Sequence, residues 1–130
     1  MWMGVLPWLL YDNRPPARGR RTNNEPMQRI AFTMKLYPGY EAEYRRRHET
    51  IWPELGALLK ETGIAEYSIF LDEETLLLFA YLWVEDPAKL DLLPAHAIMQ
   101  KWWLYMKDIM ESHPDHSPVV RPLKEVFYFP

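Results

Sequence analysis

At 130 residues the chain is one small domain, and its 48% hydrophobic and 15% aromatic content suits a packed core rather than disorder. A formal net charge of −3 gives no electrostatic footprint for a phosphate backbone, so no nucleic-acid partner is expected. The lack of cysteine excludes disulfides, thiolate chemistry and Cys-ligated zinc, and fits a cytoplasmic setting.

Residues 1–26 differ in character from the rest. The apolar run from Trp2 to Tyr11 is broken by Pro7 and too short to span a bilayer. It has neither a basic lead-in nor a small-residue cleavage site, so a secretory signal and a membrane role are not expected. Arg20-Arg21 is followed by polar residues, which argues against a twin-arginine export signal. Pro15, Pro16, Gly19 and the Asn23-Asn24 pair read as unstructured chain. Met27 stands just before the first strand. We therefore expect residues 1–26 to be a disordered extension, or to lie upstream of the true start, and residues 27–130 to form the single domain.

From Arg29 to Leu36 the apolar residues alternate (Ile30, Phe32, Met34, Leu36), which is strand periodicity, and Pro38-Gly39 supplies the turn. Glu41 to Lys60 is helical in composition with Pro53 dividing it, and Gly63 sits where a helix terminator belongs. Ile64–Leu71, with Tyr67, Ile69 and Leu71 on one face, and Leu76–Val84 read as a hairpin across the polar stretch 72–75. Asp86 caps a second helical region with Pro87 at its first position; Pro94 interrupts it, and it continues to about Met110. His113 to Pro118 reads as a loop and Leu123 to Phe129 as a last strand. The order β-α-β-β-α-β is a ferredoxin-like α+β arrangement.

The third strand is apolar for nine residues and Val126 to Phe129 is apolar throughout, as in strands buried on both faces. Two helical segments cover only one face of such a sheet, and a bare apolar face of that size is an interaction surface. A homodimer, sheet against sheet, is the expected partnership.

Candidate chemistry centres on residues 44–55. Tyr44 and His48 are four apart and so share one helical face, with Trp52 a further four along and Pro53 ending, kinking or restarting the helix. Such a stripe is commonly packing, but it also describes a small polar site with an aromatic wall. Arg45, Arg46 and Arg47 turn elsewhere and suit solvent and pairing with Glu41, Glu43 and Glu49. His113, Asp115 and His116 form a conceivable metal cluster, but Pro114 and Pro118 make the segment a loop whose histidines are ordinarily solvated, so no metal is expected. The five glycines form no phosphate-cradling pattern, so no nucleotide or other cofactor is expected. Trp102 and Trp103 point about 100° apart on a helix, so both cannot simply face the core. Together with the Tyr44 and Tyr67 hydroxyls, their indoles suit a small, uncharged, hydroxylated and partly apolar ligand.

Several motifs coincide with a known family. Tyr44-Arg45-Arg46-Arg47-His48-Glu49-Thr50-Ile51-Trp52-Pro53-Glu54-Leu55, Trp102-Trp103-Leu104-Tyr105-Met106, Pro114-Asp115-His116-Ser117-Pro118-Val119 and Glu125-Val126-Phe127-Tyr128 resemble the signature elements of the L-rhamnose mutarotase family. Similarity runs over about residues 28–130. The loop carries His116 where the family often has Asn, and Lys101 precedes the tryptophan pair where Arg is familiar. The resemblance implies a dimeric α+β barrel, His48 as proton donor to the ring oxygen, and Tyr44, Tyr67, Trp102 and Trp103 as sugar contacts. It does not require Trp52, which with Pro53 then reads as the packing that fixes where the helix ends and so where His48 points. It implies interconversion of the α and β anomers of L-rhamnopyranose, or a similar 6-deoxy sugar, by acid–base ring opening without cofactor or metal. Glu49, a tyrosine or a water remain open as the partner base. A cofactor-free monooxygenase of the same architecture and a non-catalytic sugar-binding protein are the alternative readings.

Overall fold

The computed structural model describes residues 27–130, so the expectations for residues 1–26 lie outside the described residues. Strand β1 (Gln28–Lys35) carries the alternating apolar set: Ile30, Phe32 and Met34 are all buried, and Leu36 just beyond it bridges to Met110. After the turn at Gly39, whose φ of +90° suits a residue without Cβ, the chain enters helix α1 (Glu41–Glu49). Its acidic first turn and basic last turn both complement the helix dipole. Pro53 ends nothing by itself. It occupies the first position of a second helix, α2 (Pro53–Glu61), where its missing N–H costs no hydrogen bond.

Gly63, at φ +94°, reverses the chain into β2 (Ile64–Leu71), and a Cβ there would meet Glu85 Oε1 at 3.3 Å. The hairpin to β3 (Leu77–Val84) is held by Asp72, whose carboxylate accepts from the Glu74 and Thr75 amides. Leu76, read as the first residue of this strand, instead takes φ 63° and belongs to the turn, so the strand begins one residue later.

Asp86 caps the next element as expected, accepting from the Ala88 amide at 3.1 Å. That element is a 3-10 helix (Pro87–Ala95) rather than an α-helix, and α3 (Ala97–Met106) follows after a break at His96. Two prolines within nine residues remove amide donors, and Pro94 cannot continue an α-helical ladder.

The last strand also differs from expectation. Strand β4 is Arg121–Leu123, pairing with β1 through Ala31–Leu123, Phe32–Pro122 and Thr33–Arg121. Residues 124–130 form no strand, and Val126, Phe127 and Phe129 are exposed. Pro122 is tolerated because β4 is an edge. Beyond it side chains hold the tail: Arg29 donates to both Glu125 carboxylate oxygens (2.9 and 2.8 Å), and its guanidinium lies 3.5 Å from the Tyr128 ring centroid. An apolar run does not make a strand without a neighbouring strand to pair with.

The strands form one antiparallel sheet in the order β2-β3-β1-β4, the ferredoxin-like order. Leu78, Ala80, Leu82 and Val84 of β3 are buried with Ile30, Phe32 and Met34 under α1, α2, α3 and the 3-10 helix. Alternation sends Phe79, Tyr81 and Trp83 to the other face, where Phe79 is 38% exposed and Phe70 of β2 is 66% exposed. The long apolar strand is thus buried on one face only within a single chain. Among the described residues no helix is long and apolar enough to cross a membrane.

Candidate active site

Between the sheet and the helices lies a cavity of about 1200 Å³, with a smaller cavity of about 80 Å³ sharing much of its wall. Tyr44, His48, Tyr67, Trp102 and Trp103, singled out from the sequence on three separate elements, line both. Helix α1 brings Tyr44 and His48 in, strand β2 brings Tyr67, and helix α3 brings the tryptophan pair.

The i,i+4 spacing in α1 acts through two contacts. The Tyr44 and His48 rings stack with centroids 4.3 Å apart and planes 26° apart, and His48 Nδ1 lies 3.0 Å from the Tyr44 carbonyl oxygen. A carbonyl only accepts, so the hydrogen in this bond is on Nδ1, and in the neutral ring Nε2 keeps a free lone pair. Burial favours that neutral form and lowers the His48 pKa from the usual 6.5, against the raising effect of the Tyr44 carbonyl.

The arginines next to His48 play no direct part in this shift. Arg45 pairs with Glu49 at 3.1 Å and Arg46 with Glu43 at 2.6 Å, both on the outer surface. Arg47 is buried: its guanidinium reaches Glu43 at 2.7 Å, the Tyr105 carbonyl at 2.6 Å and Asp108 at 3.0 Å. It thereby ties α1 to the end of α3, and its position between two prominent neighbours gave no sign of this in the sequence.

Trp102 is buried at 6% exposure, Trp103 is half-buried, and both line the cavity. Behind Trp102 stand Trp52 (5.1 Å, edge to face) and Tyr105 (5.6 Å), themselves stacked on each other at 5.5 Å, while His48 meets Trp102 edge-on at 5.4 Å. Trp52, on the same helical stripe by sequence, lines neither cavity and belongs to the packing that fixes Trp102. Such ring pairs contribute about 0.5–1.5 kcal/mol each beyond area burial.

The two phenols are desolvated. Burial, and secondarily the neighbouring Tyr67, push the Tyr44 hydroxyl far above 10.0, and burial pushes Tyr67 up to about 12. Tyr67 as a whole residue is 40% exposed. With their pKa values raised in this way, both phenols are neutral near pH 7.

Sequence reasoning missed part of the wall. Met34, Met99, Met106 and Met110 supply soft apolar surface, and Ser112 and His116 join the small cavity. His116, set aside as a solvated loop side chain, is half-buried at φ 77°, in the left-handed region. Its standing where the resemblance has Asn, a residue at home in that region, was the one available signal. The His113–His116 pair does not converge with other ligands, and among the described residues no three His, Asp or Glu side chains form a metal-holding group.

Comparison with known proteins gives a consistent result. The family model described as L-rhamnose mutarotase matches residues 29–129. An L-rhamnose mutarotase of Sinorhizobium fredii (strain NBRC 101917 / NGR234) is 57% identical over 102 residues, covering 78% of this chain and 98% of that protein. One of Listeria monocytogenes serotype 4b (strain F2365) is 55% identical over the same extent, again 78% and 98%. A crystal structure of an L-rhamnose mutarotase from Formosa agariphila superposes with a TM-score of 0.74 at 50% identity, over 79% of this chain and 99% of that one. A conserved protein of Methanosarcina mazei Go1, at 13% identity and TM-score 0.52 over 75% of this chain and 90% of that one, shares the fold alone.

Proposed function

The chain belongs to the L-rhamnose mutarotase family, and from that premise we propose that it interconverts the α and β anomers of L-rhamnopyranose at the cavity lined by Tyr44, His48, Tyr67, Trp102 and Trp103. It is a carbohydrate isomerase. The observation that carries the assignment of the site is the His48 geometry: one ring nitrogen is committed to a backbone carbonyl, and burial favours the neutral imidazole.

In the proposed reaction, the anomeric hydroxyl gives its proton to a base, the O1–H electron pair forms the carbonyl, and the C1–ring oxygen bond opens. The ring oxygen takes a proton, relayed by solvent water, and becomes a hydroxyl. Rotation about the C1–C2 bond and reclosure onto the other face give the second anomer. His48 Nε2 serves as the acceptor of the anomeric proton on opening and returns it on closing, in place of the expected role of acid to the ring oxygen, because the hydrogen of the neutral ring is committed on Nδ1 to the Tyr44 carbonyl. General acid–base help of this kind is worth about 10²–10⁴-fold.

The Tyr44 and Tyr67 hydroxyls hold ring hydroxyls, since neutral phenols both donate and accept. The Trp103 indole covers the apolar side of the sugar and its methyl group, with Trp102 as the fixed wall behind. Glu49, left open as the base by the sequence, sits 62% exposed and engaged by Arg45, which favours His48 over it in that role.

We place the protein in the cytoplasm as a homodimer through its bare sheet face, with residues 27–130 as the functional unit. The Phe70, Phe79, Tyr81 and Trp83 surface supports that partnership.

Anomer exchange of L-rhamnose, followed by saturation-transfer NMR with wild type and His48→Ala, tests the reading. Wild type raises the exchange rate above the protein-free rate, and His48→Ala loses that gain by about 10²-fold or more. Equal exchange in the two proteins removes His48 from catalysis, and no acceleration by wild type removes the function.

A further inference from the structure

Helix α1 carries His48 yet has almost no apolar face with which to dock. Its nine residues include no leucine, isoleucine or valine, and only Tyr44 and Arg47 are buried. A surface helix is ordinarily fixed by an apolar stripe laid on the core. Here one phenol and one guanidinium, three positions apart, take that place. His48 belongs to the same turn, stacked on Tyr44 and next in the chain to Arg47.

Arg47 reaches from α1 to the end of α3. Its Nη1 donates to the Tyr105 carbonyl at 2.6 Å and to Asp108 at 3.0 Å, Nη2 donates to the other Asp108 oxygen at 3.2 Å, and Nε donates to Glu43 at 2.7 Å. The guanidinium also lies 4.4 Å from the Tyr105 ring centroid. Tyr105 stands in the last turn of α3, where carbonyls lack a donor within the helix and a cation suits the negative end of the dipole. These contacts close a circuit. Arg47 holds Tyr105, Tyr105 packs on Trp102 at 5.6 Å, and Trp102 meets His48 edge-on at 5.4 Å. The imidazole is thus fixed by Tyr44 along its own helix and by Trp102 across the gap to α3.

Resting on the mutarotase reading above, we propose that Arg47 is a positioning residue of this enzyme: by clamping α1 to the C-terminal end of α3 it sets His48 against Trp102, and so where Nε2 points in the cavity. A lysine does not replace it. An ammonium is a single point, whereas the planar fork meets Glu43, a carbonyl and both Asp108 oxygens at once. Without the fork, α1 is anchored by Tyr44 alone, His48 leaves the edge of Trp102, and water reaches its ring. Misplacing a reacting group by about 1 Å costs about 10²-fold in rate.

Two variants test the clamp. Arg47→Lys keeps the charge and loses the fork, and Asp108→Asn alters a side chain that is 59% exposed, so the fold survives it. In L-rhamnose exchange NMR we expect kcat to fall about tenfold or more in Arg47→Lys and about threefold in Asp108→Asn. KM should change less than about threefold in both, because Tyr67 and Trp103 are carried by β2 and α3. The second readout needs no substrate. The His48 ring-proton shifts, followed against pH, give its pKa in the folded protein, and loss of burial raises that pKa toward 6.5 in both variants. Removing the Asp108 charge would by itself move it down or leave it, so the sign separates position from charge. Tyr44, Tyr67 and His116, the other titratable groups on the wall of the small cavity, are the same in all three proteins. A merely structural role lowers Tm and leaves the His48 titration of the folded protein where it was. Wild-type kcat in Arg47→Lys overturns the proposal, and so does a His48 pKa in Asp108→Asn at or below the wild-type value. Failure of wild type to exchange anomers overturns the mutarotase reading, while the titration still decides the clamp.

Discussion

His48 donates its Nδ1 hydrogen to the carbonyl of Tyr44, 3.0 Å away, while the two rings stack at 4.3 Å. One turn of helix thus sets both the ring plane and the tautomer of the imidazole. A rotation of the side chain would break the hydrogen bond and the stack together, so the Nε2 lone pair is aimed by local geometry before any substrate arrives.

This arrangement gives a pH dependence of known sign. Burial lowers the His48 pKa below 6.5, so the neutral, proton-accepting ring persists to more acid pH than an ordinary histidine would allow. The acid limb of kcat/KM for wild-type L-rhamnose exchange is therefore expected with its midpoint below 6.5, and a midpoint at or above 6.5 contradicts the assignment. Stability follows the same sign. As pH falls through 6.5 the unfolded chain binds the proton first, so stability declines between 6.5 and the lower native pKa. His48→Asn should show a shallower drop in Tm from pH 7 to pH 5 than wild type.

Trp52 is expected to matter through Trp102. Removing its ring deletes the stack on Tyr105 and the edge contact with Trp102, and leaves a gap between α1 and α3. Trp52→Ala should cost about 2–4 kcal/mol in urea unfolding, somewhat below a fully buried tryptophan because Trp52 is half-buried. Activity should fall with it as Trp102 moves, whereas Trp52→Phe should recover most of both. A Trp52→Ala protein of wild-type stability would mean that the aromatic stack holds nothing in place.

Arg47 is predicted to be a structural clamp. With Asp108 59% exposed, solvent screens part of its pairing, so Arg47→Ala should cost about 1–3 kcal/mol rather than the full price of a deeply buried pair. Part of the acid limb of stability comes from its partner Glu43. The Arg46 and Arg47 guanidiniums hold Glu43 down at about 2 from 4.5, so its contribution is complete above pH 4.5 and disappears as pH falls through about 2. Glu43→Gln should lower Tm at neutral pH and flatten its decline across that window. An unchanged acid profile in chemical and thermal unfolding would remove Glu43 from the account.

The bare sheet face makes the fourth prediction. Sedimentation at micromolar concentration should give a species of twice the 15.6 kDa chain mass, and Phe70→Glu should return it to a single chain by placing a charge in the contact. A wild-type protein sedimenting only as a single chain sinks the proposed homodimer.

Much of this molecule could be read along the chain. Alternation in Ile30, Phe32, Met34 and Leu36 put β1 in place, Gly63 ended the helical region, and Asp86 capped what followed, because each rests on contacts within a few residues. The split at Pro53 was legible for the same reason. The tail from Lys124 was not, since an apolar run records that a strand is possible and not whether a partner edge is there to receive it. Nor was Arg47, whose burial depends on Asp108, sixty-one positions away.

The site divides along the same line. Spacing along the chain was enough to show which side chains could do the chemistry and that Tyr44 and His48 share a face, since helical periodicity is a local property. Tertiary structure decided what those groups are. Packing against Trp102 and Tyr105 gave Trp52, already read as packing, its partners, and desolvation between sheet and helices favours the neutral form of His48 and raises the pKa of the phenols. A turn between α3 and β4 brought His116, sixty-eight residues further along, to the same small cavity. Burial and long-range closure are properties of where elements meet, and no spacing along the chain carries them.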